Sequence, residues 1–140
     1  MVLWADIRLG PGKVLRVYGT HLGLDGATRL SQVDALLDLA MEHHGPKVWM
    51  GDFNATPDMP EIQRLVAGMA GTALSYGEPP LPLWLDPAPD SAAPTFPSHQ
   101  PKSRIDYAFV SPDLTGSVLR YEALQSDASD HLPVLLELSL

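Results

Sequence analysis

Lys47-Val48-Trp49-Met50-Gly51-Asp52-Phe53-Asn54 is the stretch on which the fold turns. Gly45-Pro46 closes whatever precedes it, and Val48, Trp49 and Met50 form a short apolar run of the kind buried strands show. Extended geometry places Val48, Met50, Asp52 and Asn54 on one side. The strand therefore carries two polar side chains, pointing the same way, at its C-terminal end.

Upstream, Val2 to Leu9 and Val14 to His21 are apolar-rich runs separated by Gly10-Pro11-Gly12, which predicts a β-hairpin. Leu15, Val17, Gly19 and His21 share a face, so His21 ends an apolar row. From Thr28 to His44 the period changes. Leu30, Val33, Leu37 and Ala40 recur at helical steps, with Leu36 and Met41 widening the stripe, which predicts an amphipathic helix. His43-His44 at its end reads as a solvated pair suited to the helix dipole.

Downstream, Asp58 as N-cap with Glu61 three residues on predicts a second helix through Ile62, Leu65, Val66 and Met69 to Gly71. Residues 79–101 hold eight of the fourteen prolines and read as an irregular loop. Trp84 within it either packs the loop down or stacks on a ligand; His99 reads as an ordinary loop residue. Arg104 to Ser111 and Leu119 to Leu124 predict two further strands. Leu132, Val134, Leu136, Leu138 and Leu140 alternate as a last one. There is no internal repeat.

His21 and Asp52 lie at the C-terminal ends of their strands, whereas Asp106 and Asp130-His131 lie at or before the N-terminal ends of theirs. All meet at one edge if the second pair runs antiparallel to the first. The expected fold is α+β, a mixed sheet with flanking helices and one polar rim.

The chain has 140 residues, 45% apolar and 19% charged, which suits one globular domain over residues 1–140. Cysteine is absent, so disulfides and thiolate metal sites are excluded. No apolar run approaches the ~20 residues of a membrane-spanning helix. Met1 to Asp6 shows no basic region followed by a long apolar stretch, so no signal peptide is legible and a cytoplasmic location is the default expectation. A net charge of −8 argues against tight non-specific nucleic-acid binding, which needs clustered Lys and Arg. Only Lys102 and Arg104 form a close basic pair near a motif.

The polar clusters carry the chemistry. Breaking a phosphoester requires a deprotonated water and a stabilised phosphoryl charge. A carboxylate such as Asp52 can orient or deprotonate the water, and an amide such as Asn54 can donate to a phosphoryl oxygen without repelling it. The same two residues would equally suit a Gly-Asp turn with an Asx cap. Asp130 is a hard oxygen ligand for Mg²⁺ and His131 a base at neutral pH; otherwise they are simply a loop before a strand. Asp106, flanked by Ile105 and Tyr107, needs a partner if buried. That partner is Arg104 in a salt bridge, or His131 in a carboxylate–histidine dyad. His21 alone reads as a satisfied core or rim histidine unless the other groups converge on it. Together, carboxylate, amide and imidazole groups of this kind make a divalent-metal phosphoester-cleaving site.

In this order the clusters resemble the endonuclease/exonuclease/phosphatase superfamily, also described as deoxyribonuclease I-like. The resemblance rests on Tyr18-Gly19-Thr20-His21-Leu22, Arg29 and Gln32, Gly51-Asp52-Phe53-Asn54-Ala55, Pro94-Thr95-Phe96-Pro97, Ser103-Arg104-Ile105-Asp106-Tyr107 and Ser129-Asp130-His131-Leu132-Pro133. Calcineurin-like metallophosphoesterases would need a metal-binding Asp-x-His and a Gly-Asn-His-Glu, and neither is present. The resemblance implies a four-layer α/β/β/α sandwich and Mg²⁺-dependent hydrolysis of a phosphoester, with Mn²⁺ as an accepted substitute. It implies that His131, oriented by Asp106, acts on water or phosphate. Asp52 and Asn54 would contact water, phosphate or metal, Asp130 would help bind the metal, and His21 would contact the phosphate. The Thr-His-Leu form of the motif resembles general phosphodiesterases, sphingomyelinases and phosphatases more than abasic-site nucleases.

Superfamily members begin with a strand carrying Asn and then a metal-binding Glu. This chain starts one short strand before Thr20-His21-Leu22, and Asp6 and Glu42 do not sit in matching contexts. The resemblance thus covers the C-terminal half to two-thirds of a domain, without a partner for the inner sheet face. Two expectations follow: an enzyme completed by other residues, or a half-domain that binds or assembles without turnover. Exposed apolar sheet also predicts self-association, or a complementing N-terminal half.

Overall fold

The computed structural model describes residues 1–67, 84–89 and 93–140. β1 (Val2–Gly10) and β2 (Lys13–His21) form the expected hairpin, followed by α1 (Gly26–Met41), β3 (Lys47–Asp52) and α2 (Pro60–Val66). After them come β4 (Asp106–Val110), a 3₁₀ helix (Pro112–Ser117), β5 (Val118–Ala123) and β6 (Val134–Leu138). The main sheet has the order β1-β2-β3-β4, with β2 and β3 parallel and the other two pairs antiparallel.

The two faces of this sheet have different partners. Tyr18, Trp49, Tyr107 and Phe109 point to one side and pack under Val33, Leu36, Leu37 and Ala40 of α1 and Ile62 and Leu65 of α2. Leu15, Val48 and Val110 point to the other and meet Leu114, Val118, Leu136 and Leu138. β6 does not extend the main sheet. It pairs with β5 as a separate two-stranded sheet laid over part of that second face. The expected bare inner face is therefore half right. One end is covered, while Leu3, Ile7, Leu9 and Met50 remain 70, 48, 38 and 41% exposed. β6 is also shorter than its apolar alternation suggested, and Val134, Leu135 and Leu136 are all half-buried because the small sheet is covered on one side only in part.

Helix ends depart from the sequence reading for identifiable reasons. α1 begins at Gly26 because the Asp25 carboxylate accepts from Thr28 N at 2.9 Å, a cap hidden upstream of the apolar stripe. Asp58 does not cap α2. Its carboxylate accepts from Thr56 Oγ1, Met59 holds the N-cap position without a side-chain bond, and Pro60 opens the helix. Glu61 does not close a capping box; it is buried and accepts from Arg29 Nε at 2.8 Å. The expected continuation of α2 to Gly71 runs beyond residue 67 and so lies outside the described residues, as does much of the proline-rich loop. Of that loop, Trp84 is fully buried against Tyr18 and Trp49, and Leu85 bridges to Val110. Of the His43-His44 pair only His44 is exposed; His43 is half-buried, and desolvation, with Arg16 and Lys47 nearby, lowers its pKa.

Candidate active site

The hydrogen-bond ladder itself assembles the rim. His21 is the register partner of Asp52 across the parallel β2–β3 pair, and Asp52 is the partner of Asp106 across the antiparallel β3–β4 pair. The three residues thus form one row across three strands, on the face toward β5–β6. His21 Nε2 stands 3.4 Å from Asp52 Oδ2, with the imidazole 73% exposed. β3 ends at this row because Gly51 adopts φ +142, a conformation side chains rarely allow; a Cβ there would lie 1.9 Å from the Thr20 carbonyl oxygen. Asn54 follows at φ 48, in the left-handed region that Asn tolerates. The turn breaks the strict alternation that would have aligned Asn54 with Asp52. Instead Asn54 N donates to Asp52 Oδ1 at 2.8 Å and Asn54 Nδ2 to the Leu22 carbonyl at 2.9 Å.

His131 arrives from outside the sheet, on the loop before β6. Its Nδ1 lies 2.9 Å from Asp106 Oδ2, and Thr95 Oγ1 donates to the same oxygen at 2.6 Å. A hydrogen on Nδ1 leaves Nε2 as the free acceptor. Burial pulls the His131 pKa down, but the hydrogen bond and charge of Asp106, with Asp52 and Asp130 beyond, outweigh it, and the net displacement is upward. Phe96 packs on the ring at 4.7 Å.

Arg104 does not pair with Asp106. It is buried against Asp86, with Nη1 and Nη2 each 2.8 Å from a carboxylate oxygen, and so is not part of an accessible basic pair with Lys102. Asp52, Asp106 and His131 can each offer one ligand atom, all within 4.8 Å of one another. The two carboxylates suit a hard divalent cation, whereas the imidazole is a ligand for softer ones. Asp130 lies outside this trio: its side chain is exposed, and its carbonyl accepts from Ser98 N. The trio opens into a cavity of about 420 Å³ walled by Met50, Ala108, Leu132 and Val134. The structure places His21, Asp52, Asp106 and His131 on one rim, and the sequence reading assigned no task to Thr95 or Phe96.

The Endonuclease/Exonuclease/phosphatase family profile matches residues 3–131, and the chain belongs to this family. No curated protein matches it. Among solved structures it is similar to an endonuclease/exonuclease/phosphatase from Bacteroides vulgatus, with a TM-score of 0.78 at 21% identity, covering 99% of this chain and 55% of the other. A conserved protein of unknown function from Enterococcus faecalis gives a TM-score of 0.74 at 21% identity, with 99% and 55% covered. The mannosyl-6-phosphatase of Bacteroides thetaiotaomicron gives 0.71 at 22% identity, with 99% and 57% covered. The fold is thus the deoxyribonuclease I-like one, and this chain spans about half the length of the structures it matches.

Proposed function

We propose that this chain carries the hydrolytic machinery of a Mg²⁺-dependent phosphoesterase. The observation behind this reading is the Asp106–His131 pair, 2.9 Å apart, set beside Asp52 at the end of one strand row. His131 Nε2 takes a proton from water as the water attacks phosphorus. Asp106 holds the ring and stabilises the imidazolium that forms. The bond from phosphorus to the leaving oxygen then breaks, and the proton on His131 passes to the alkoxide. His21, exposed at the end of the row, donates to a phosphoryl oxygen, as does the N–H of Asn54 that Leu22 does not use. Asp52 and the second oxygen of Asp106 would hold Mg²⁺ or Mn²⁺, with Asn54 and Asp130 at the margin; the cation supplies charge neutralisation for the phosphoryl oxygens.

A small phosphoester suits the site better than a long nucleic acid. The net charge is −8, and Arg16, Arg29, Arg64, Arg104 and Arg120 each sit in an ion pair with a carboxylate. Such a surface offers few free cations to phosphates.

A generic phosphomonoester and a generic phosphodiester, each with Mg²⁺ and with chelator, test the proposal. Turnover that needs the metal and falls at least about 100-fold in both Asp52→Ala and His131→Ala is expected, the scale of a lost acid–base group. No turnover above blank from the unaltered chain would sink the reading for this chain. A second reading, a binding or assembly half-domain, is favoured by one observation: the apolar side chains left bare on the inner face.

A further inference from the structure

Thr95 ties together the two segments that supply the dyad. Its residue is 1% exposed and belongs to no named strand. Its hydroxyl oxygen receives Asp106 N at 3.3 Å and Ile105 N at 3.4 Å, so the hydroxyl hydrogen is directed to Asp106 Oδ2, 2.6 Å away. Its carbonyl accepts from Leu132 N at 2.8 Å, the residue after His131. Its own N–H donates to the Ser103 carbonyl at 2.9 Å, just before β4. One residue therefore binds the segment leading into β4 and the loop leading into β6. The next residues reinforce it: Phe96 packs on the imidazole, and Ser98 bonds the carbonyls of Asp130 and Ser129 through its N–H and hydroxyl.

We propose that Thr95 is the positioning residue of the Asp106–His131 pair, its hydroxyl fixing the carboxylate rotamer that keeps the hydrogen on His131 Nδ1. Without that donor, Asp106 Oδ2 has one partner instead of two, and the carboxylate can rotate away from the ring. The imidazole then loses its preference for one neutral tautomer. This inference rests on the hydrolytic reading for its consequence in turnover, but its structural content stands without substrate.

The test compares Thr95→Val, which removes the hydroxyl at nearly constant volume, with Thr95→Ser, which keeps it. Nitrogen-15 chemical shifts of His131, recorded at a pH where the ring is neutral, report the tautomer directly. The expected result is a predominant Nδ1–H form in the unaltered chain and in Thr95→Ser, and a mixed population in Thr95→Val with unchanged circular dichroism. In the metal-dependent assay kcat should fall about 10-fold in Thr95→Val with KM unchanged, the usual scale for a partner behind the reacting group. Should Thr95→Val fail to fold, Thr95→Cys, a weaker donor, takes its place. An unshifted tautomer in the folded hydroxyl-free or thiol variant overturns the inference. Absence of turnover in the unaltered chain overturns the hydrolytic reading and leaves the nitrogen shifts to decide the role of Thr95.

Discussion

Gly51 is where a single residue governs the rim. Its φ of +142 brings the backbone within reach of the Thr20 carbonyl, so that a methyl group has nowhere to go. Gly51→Ala should destabilise the chain by about 2 kcal/mol or more, combining a disfavoured conformation with a backbone clash. Urea denaturation followed by circular dichroism measures it, and an unchanged midpoint would contradict the account. The sequence showed Gly51-Asp52-Phe53-Asn54 as a polar strand end but not this strain, because φ is set by neighbouring strands that periodicity does not see. Nor did it separate the two fates of Asp106. Arg104, two residues away, was an adequate partner on paper; only the fold shows its guanidinium turned into the core toward Asp86. His43 was misread for a similar reason. It stands at a helix end, yet it is half-buried beside Gly45. Desolvation first, then the charges of Arg16 and Lys47, depress its pKa from 6.5, against a smaller pull from Asp6. The unfolded chain therefore binds the proton more readily, and this site's contribution to stability is present above pH 6.5 and shrinks as pH falls through that value. The Tm difference between pH 7.5 and 5.5 should be smaller in His43→Gln than in the unaltered chain; an identical difference would refute this.

Between elements, the contact that sequence reasoning missed most completely is Arg29–Glu61. Arg29 was visible only as part of a resemblance and Glu61 only as a helix cap. In the fold they join α1 to α2, with side-chain exposures of 10 and 2%, and Arg29 Nη1 also reaches the Leu24 carbonyl at 2.6 Å. The pair thus pins the loop that follows His21, helped by Gln32, whose Oε1 accepts from Gly23 N. Truncating either partner strands a buried charge. Arg29→Met or Glu61→Gln alone should cost about 3 kcal/mol, while the double variant should cost less than the two added together. Additive losses in a double-mutant cycle would show that the two do not act as a pair. The helices were legible because each buries one apolar face, β3 because its apolar run is buried on both sides, and the hairpin because Gly10-Pro11-Gly12 marks its turn. The separate β5–β6 sheet was not, since an alternating strand reads the same whether it extends a sheet or lies across it.

At the scale of the molecule, the sheet has a covered and an uncovered half. Leu3, Ile7 and Leu9 line an edge strand, beside Met50, on the face away from the helices. Apolar strands of this kind associate unless charge or covering prevents it. Light scattering should give a mass above 15.2 kDa, with a hydrophobic dye bound, and Leu3→Lys with Ile7→Lys should reduce both. A dye-free 15.2 kDa monomer would rule the association out. No helix among the described residues is long and apolar enough to cross a membrane.

The row His21–Asp52–Asp106 has one more consequence. Its spacing is measured out by main-chain pairing, not by side-chain contacts, so the backbone serves as the ruler. Moving β3 by a single step along its neighbours would carry the Asp52 carboxylate to the helical side and bring an apolar or glycyl position into its place. The aromatic wedge of Trp49 forbids that step, because it would have to leave its seat against Trp84 in the core under the helices. Hydrophobic packing on the far side of the sheet thus keeps the acidic groups aligned on the near side.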